Sequence, residues 1–201
     1  MKFINLIQLV RISTLALLIS STGVNAAQWV IDNQHSQLNF ISTKKVNIAE
    51  VHQFRSFQGA LDSKGQFELA IDLSSVDTSI AVRDERMTKY LFDVEQFSTA
   101  TLTANIDLAI LDAIAQGAAS VPLEIDANLS LHGETKPIKL NVIISRLVGA
   151  KLAVVSAQPV IVKAEDFALV SGVNKLMELA KLPSISQAVP VSFYLTLNLK
   201  P

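Results

Sequence analysis

Alternation of apolar and polar residues is the feature that most constrains the fold of this chain. In residues 66–73, the apolar residues Phe, Leu, Ile and Leu alternate with Gln, Glu, Ala and Asp. A period of two places the two sets of side chains on opposite faces of a β-strand. The same pattern recurs in residues 101–110, 123–132, 138–144 and 191–200. It predicts an all-β fold whose strands each bury one face.

Three further stretches complete the predicted set of strands: residues 29–44, 51–61 and 152–162. Turn-forming residues separate neighbouring strands at 62–65, 132–135 and 149–151, which is typical of antiparallel hairpins. The sequence therefore predicts about eight antiparallel strands in one domain. A closed barrel of eight strands is just wide enough to be filled by side chains or to hold one small ligand.

Two segments depart from the period of two and are predicted to be short helices. Residues 81–91 place Val82, Arg86 and Tyr90 on one helical stripe. Residues 173–182 carry apolar residues at helical spacing and end before Pro183, which cannot continue a helix. Because its apolar residues share one face, the second helix is expected to pack over the barrel or one of its ends.

The first residues have the pattern of a secretory signal peptide. Lys2 and Arg11 precede an apolar run over residues 12–19, and Val24 and Ala26 fit the small-residue rule at a cleavage site. The apolar run is shorter than the roughly 20 residues of a spanning helix. We therefore expect a signal peptide at residues 1–26, a mature domain at 27–201 and a periplasmic or secreted protein. An uncleaved amphipathic anchor is the alternative.

Composition removes several classes of function. Hydrophobic residues make up 50% of the chain, charged residues 17%, and the net charge is −1. These values do not fit a disordered chain or a nucleic-acid-binding surface. The sequence contains no cysteine, which excludes disulfides and cysteine-ligated metals. No common catalytic motif is present either, and no covalent cofactor is expected.

The three histidines are the obvious candidates for a metal site. His35, His52 and His132 are not closely paired in sequence, so structural roles are expected and no metal site is predicted. Two alternatives stay open from the residues alone. One is an enzyme or metal-dependent accessory protein that uses His35 and His52 with a nearby acid. The other is a solid-core barrel that serves as a protein-interaction module, with a membrane redox partner as a candidate.

Strand parity predicts which side chains face the barrel interior. These rows are rich in Leu, Ile and Phe, and they would line either a solid core or an apolar tunnel. The predicted interior positions that would contact a ligand are Phe40, Phe57, Leu69, Ile71, Leu140, Phe193 and Leu195. Arg83 and Arg86 are candidates for contact with an anionic head group, because guanidinium binds phosphate through two hydrogen bonds.

Several separated motifs together resemble the YceI-like family of polyisoprenoid-binding periplasmic proteins. The resemblance extends over nearly the whole predicted mature chain. Two positions depart from the family pattern. Ser98 stands where family members commonly have proline after the aromatic residue of the central block, and Ala168 stands where glycine often follows the Asp166-Phe167 pair. The motifs are Asp32-Asn33-Gln34-His35-Ser36, Phe54-x-x-Phe57-x-Gly59, Ser75-Val76-Asp77-Thr78, Arg83-Asp84, Leu91-Phe92-Asp93, Phe97-x-x-Ala100-Thr101, residues 129–136 and Glu165-Asp166-Phe167.

The resemblance implies a lipocalin-like barrel that holds the tail of an isoprenoid lipid, such as a quinone or a polyprenyl lipid. Combined with the strand pattern, it leads us to expect a periplasmic carrier that sequesters such an amphiphile and does no covalent chemistry.

Overall fold

The computed structural model describes residues 28–115 and 120–200. The predicted signal peptide lies outside the described residues. Within those two ranges, no helix combines the length and the apolar composition needed to cross a membrane.

The described residues form twelve antiparallel strand segments in one sheet. The segments are β1 (Gln28–Ile31), β2 (Gln37–Lys44), β3 (Ile48–Phe54), β4 (Phe57–Leu61), β5 (Gln66–Asp72), β6 (Val76–Asp77), β7 (Thr99–Asn105), β8 (Ser120–Leu131), β9 (Glu134–Leu147), β10 (Lys151–Ser156), β11 (Val160–Lys163) and β12 (Ala188–Lys200).

These segments combine into a closed barrel of eight strands, as the sequence pattern predicts. Segments β1 and β2 follow one another as a single interrupted strand, and so do β3 with β4, β5 with β6 and β10 with β11. Each strand pairs with the next in the chain. Closure comes from β12, which pairs with β1 through Leu197–Lys200 and with β2 through Val191–Tyr194. Closing the sheet on itself pairs the strand edges that an open sheet would expose.

The segment from Asp32 to Ser36 explains how the first strand is interrupted without leaving backbone groups unpaired. The Ser36 hydroxyl accepts a hydrogen bond from the Thr196 N–H at 2.9 Å, and the Asp32 N–H donates to the Thr196 carbonyl at 2.8 Å. Asn33 reaches the next interruption, where its amide donates to the Arg55 carbonyl and accepts from the Phe57 N–H, both at 2.9 Å. The motif that marks the family resemblance therefore has a structural task here.

The longest hairpin joins β8 to β9 through a two-residue turn. His132 and Gly133 both have positive φ, 52° and 83°, as a type I′ turn requires. Phe97 packs on the His132 ring at 4.5 Å between ring centroids. His132 thus lies in the turn and is half-buried against Phe97.

The described residues contain three α-helices, one more than the sequence analysis predicted. They are α1 (Ala81–Arg86), which continues into a π-helical turn at Met87–Leu91, α2 (Ala109–Ala115) and α3 (Val170–Leu179). The helix expected at 81–91 is confirmed, and α3 begins three residues before its predicted start. The prediction for 101–110 was wrong at its end, because the strand stops at Asn105. Asp107 then accepts a hydrogen bond from the Ala109 N–H at 2.9 Å and starts α2.

Helix α3 packs closely on the π-helical turn. A Cβ atom at Gly172 would lie 2.6 Å from the Tyr90 carbonyl oxygen and 2.8 Å from the Leu91 Cα. Only glycine allows this approach. Val173 of α3 belongs to the hydrophobic core, so the second predicted helix packs over the barrel interior.

Ala168 adopts a left-handed conformation with φ of 53°, which explains why glycine suits this position in the family pattern. We expect Ala168→Gly to raise the free energy of unfolding by about 1 kcal/mol, because it removes the steric cost of a Cβ in this region. Gly149→Ala is the matched control and should lower the free energy of unfolding, because Gly149 has φ of 81°. The added methyl group would have no neighbour within 4 Å, so the backbone conformation alone would cause the loss. Urea unfolding measures both. A loss of stability in Ala168→Gly would contradict this account.

Candidate functional site

The barrel interior contains two cavities whose described walls are entirely apolar. The α2-side cavity, which Leu111 of α2 helps to line, has a volume of about 120 Å³. The α3-side cavity, which Val173 of α3 helps to line, has a volume of about 160 Å³. Each cavity is smaller than a typical small-molecule site of roughly 300–1,000 Å³, so a ligand of that size would have to occupy both.

The two cavities adjoin each other along the barrel axis. A ring of side chains lines both of them, formed by Leu38, Ile71, Leu129, Val162 and Val191. Along β12, the walls run from Val189 in the α3-side cavity to Leu197 in the α2-side cavity. At about 3.3 Å per residue this is about 26 Å of strand, so the combined site suits a long and narrow apolar ligand.

Six of the seven predicted interior residues lie on these walls. Phe40 lines the α3-side cavity, and Ile71 belongs to the ring. The α2-side cavity is lined by Leu69, Leu140, Phe193 and Leu195. Phe57 is buried as parity predicts, but it packs in the core outside the described walls of both cavities.

Aromatic rings form one side of the α3-side cavity. The Phe40 and Phe54 rings lie 5.4 Å apart between centroids, and Phe54 lies 5.8 Å from Phe92. His52 extends this row, because its ring lies 5.3 Å from Phe40 in an edge-to-face arrangement. A histidine thus stands at the end of the aromatic wall.

Beyond Phe40, the inward face of the β2–β3 hairpin changes from apolar to polar. Phe40 pairs with His52 across the two strands, and the next inward pair is Ser42 with Glu50. Ser42 Oγ lies 2.8 Å from His52 Nε2, while Lys44 and Arg83 both contact Glu50 Oε2, at 2.6 Å and 2.8 Å. We call Ser42, Lys44, Glu50, His52 and Arg83 the polar cluster.

The protonation states in the polar cluster follow from burial and charge. His52 is only 4% exposed, and burial, with help from the Arg83 charge, lowers its pKa below the ordinary 6.5. A hydrogen bond from Lys44, with a second from Arg83, holds the pKa of the Glu50 carboxyl below its usual range. Near neutral pH the cluster therefore contains a neutral imidazole beside a carboxylate that two cations share.

The two arginines predicted to meet a head group have different surroundings. Arg83 donates to Glu50 and, at 2.7 Å, to the Thr78 carbonyl. Arg86 makes one long contact, 3.5 Å to the Leu179 carbonyl at the end of α3. Neither is among the described residues that line the two cavities.

The structure does not bring His35 and His52 into one site. The His35 side chain is 68% exposed and pairs with Asp32 at 2.9 Å, whereas His52 faces the interior. Among the residues that the structure describes, no group of three or more His, Cys, Asp or Glu side chains could hold a metal ion.

The sequence analysis missed the polar cluster as a unit, although a signal was present. Ser42 and Lys44 continue the inward parity of Leu38 and Phe40, and Glu50 continues that of His52. Polar residues at inward positions of one hairpin therefore marked the point where the apolar interior ends. The cross-strand register and the approach of α1 were needed to assemble them.

The fold and the site define a class of protein: an all-β, eight-stranded antiparallel barrel with an elongated apolar interior. The model of the YceI-like domain family matches residues 29–197. The chain belongs to this family.

Solved structures and curated relatives agree with this assignment. A polyisoprenoid binding domain from Saccharophagus degradans, implicated in plant cell wall breakdown, is 37% identical, with a TM-score of 0.81 over 86% of this chain and 98% of that chain. BcnA of Burkholderia cenocepacia shares the fold at 19% identity, with a TM-score of 0.63 over 83% of this chain and 98% of that chain. A UPF0312 protein of Vibrio cholerae is 29% identical over 132 residues, which is 59% of this chain and 64% of that protein.

The depressed pKa of His52 predicts a pH dependence of stability. Because the unfolded chain binds a proton at this histidine more readily than the folded chain, the free energy of unfolding should fall as pH drops below the ordinary histidine pKa of 6.5. Urea unfolding from about pH 7.5 to about pH 5.5 measures the slope. We expect His52→Phe to reduce the slope of the free energy of unfolding against pH. His35→Phe replaces an exposed ring and should leave the part of the slope that comes from His52 unchanged. An equal slope in wild type and His52→Phe would contradict the prediction.

Proposed function

We propose that this protein binds the tail of a polyisoprenoid lipid along the two adjoining cavities. The observation that carries the proposal is the uninterrupted apolar wall from Val189 to Leu197 on β12, with the shared ring at its centre. The similarity to a polyisoprenoid binding domain at 37% identity supports the same ligand class. The proposed tail-binding residues are Phe40, Leu69, Ile71, Leu140, Phe193 and Leu195.

Burial of the tail accounts for the affinity in this proposal. Each buried CH2 group contributes roughly 0.8 kcal/mol, so an isoprene unit contributes about 3–4 kcal/mol before the cost of ordering the chain. An unbroken chain with methyl branches also suits walls of Leu, Ile, Val and Phe, whose side chains present no polar groups. Tail length should therefore affect affinity more than any one polar contact.

The proposed biological role is that of a carrier or scavenger outside the inner membrane. A lipid with a long prenyl tail needs an apolar enclosure to cross an aqueous compartment, and the barrel interior supplies one. The sequence pattern of residues 1–26 supports export. Quinones and polyprenyl lipids both have such tails, and a membrane redox partner fits the first of these cargoes.

Direct contact of Arg83 or Arg86 with a lipid head group stays a prediction. Arg83 already donates hydrogen bonds to Glu50 and to the Thr78 carbonyl, so it is less available to a head group than a free cation would be. Arg86, with one contact at 3.5 Å, has more freedom to reorient.

A catalytic role has less support. The Ser42–His52 hydrogen bond resembles the first half of a hydrolytic triad. The second half is missing among the described residues, because His52 Nδ1 contacts no carboxylate and Glu50 is held by Lys44 and Arg83. Binding without chemistry is therefore our proposal.

Native mass spectrometry tests the proposal directly. We expect protein purified without detergent to retain a mass that matches a prenyl lipid, and lipid-free protein to take up such a lipid from solution. A persistently lipid-free protein that fails to take up any prenyl lipid would refute the proposed function.

Narrowing the shared ring tests whether one ligand spans both cavities. Leu129 is 8% exposed, and we expect Leu129→Trp to weaken binding of a long prenyl ligand about tenfold or more, because the indole fills the passage. A short prenyl ligand that fits within one cavity should bind nearly as in wild type. Ile143→Trp is the control, since Ile143 is 39% exposed on the outer face of β9. Fluorescence titration and thermal unfolding of each variant measure affinity and folding, and equal losses for both ligands would contradict a shared tunnel.

A further inference from the structure

The polar cluster lies where the apolar wall of the α3-side cavity ends. His52 contacts Phe40, and Phe40 lines this cavity. The next inward pair along the same hairpin is Ser42 with Glu50. The cluster therefore supplies the first hydrogen-bonding groups beyond the apolar wall of this cavity.

Two buried polar atoms of the cluster lack a hydrogen-bond partner among the described residues: His52 Nδ1 and Arg83 Nε. Buried polar groups in native proteins are nearly always paired. Their shared location is significant, because the charges of Arg83, Glu50, Asp84 and Lys44 all act on the His52 ring. The cluster residues do not themselves line the cavity, and Phe40 is the lining residue that His52 contacts. A polar ligand atom that reached past the Phe40 ring would meet this unfilled hydrogen-bonding capacity.

From this arrangement we infer that His52, oriented by Ser42, binds the polar head of the prenyl lipid, and that this head is uncharged: a hydroxyl or a carbonyl group. The inference rests on the proposed function and adds the chemistry of the head group to it.

A neutral His52 can recognise either kind of uncharged head. When Ser42 donates its hydroxyl hydrogen to Nε2, Nδ1 carries the ring proton and donates to a carbonyl oxygen. When Nε2 donates to Ser42, Nδ1 accepts a hydrogen bond from a ligand hydroxyl. Because the Ser42 hydroxyl rotates, both tautomers keep the 2.8 Å contact.

The charge balance of the cluster disfavours a phosphate head. Lys44 and Arg83 share the Glu50 carboxylate, and Asp84 accepts a 2.9 Å hydrogen bond from the Thr78 N–H as well as one from the Thr78 hydroxyl. Two cations thus face two carboxylates within and beside the cluster. A phosphate brought here would lose its hydration and would have to separate Glu50 from its partners before it gained a cation.

Three probes with one prenyl chain length test this inference on the full-length protein: a polyprenol, the matching polyprenyl monophosphate and the matching hydrocarbon without a head. We expect wild type to bind the polyprenol about three- to tenfold more tightly than the hydrocarbon, which corresponds to one typical hydrogen bond. The polyprenyl monophosphate should bind more weakly than the polyprenol.

Two variants assign the preference to His52. His52→Phe keeps a ring against Phe40 and should abolish the preference, so that this variant binds the polyprenol no more tightly than it binds the hydrocarbon. His52→Gln keeps a neutral donor and acceptor and should restore part of the preference. His35→Phe, on the outside of the barrel, should alter neither affinity.

The outcomes separate the head-group inference from the proposed function. Tighter binding of the monophosphate than of the polyprenol, equal binding of polyprenol and hydrocarbon by wild type, or an unchanged preference in His52→Phe would each overturn the head-group inference and leave tail binding intact. Failure of wild type to bind any of the three probes would overturn the proposed function itself. The comparison of probes on wild type needs no variant, so it decides even where a variant does not fold.

Discussion

Pairing of β12 with the strands on both sides is the constraint on which the rest of the structure depends. One flank of β12 pairs with β1 and β2, and the other pairs with β10 and β11. This single strand closes the ring, and its register fixes Val191, Phe193, Leu195 and Leu197 on the inner face. A slip of one residue would turn all four side chains outward, and the cavity walls would be lost together with the closure.

Closure at this strand number leaves an interior that apolar side chains line but do not fill. Several strands of the barrel are interrupted, and side chains such as Asn33 and Ser36 bond backbone groups at these interruptions. The interior holds two cavities that adjoin at the shared ring. In the function that we propose, tail burial would supply most of the binding free energy, and a few polar contacts at one end would fix the orientation of the ligand.

Much of the fold could be predicted because a strand with one buried face has apolar and polar residues in alternation. Parity placed Leu69, Leu140 and Leu195 correctly on the inside, and the turn at Gly133 was recognisable from its residue types. Helix α2 was missed because Leu108 and Ile110 continue the alternation past Asn105, so periodicity alone could not show where the strand ends. Phe57 shows the same limit: parity established that it is buried, and only packing determined that it lies away from the cavities.

The sequence by itself determined most of the strands, their inward faces and the family, because these depend on local periodicity and on motifs that can be recognised in the sequence alone. The tertiary structure decided that the interior holds two adjoining cavities and that one of them ends in a polar cluster. Glu50 and Arg83 are 33 residues apart in the chain, and Ser42 meets His52 only through the register of the β2–β3 hairpin. Contacts of this range arise from how the strands and α1 pack, and no local pattern encodes them.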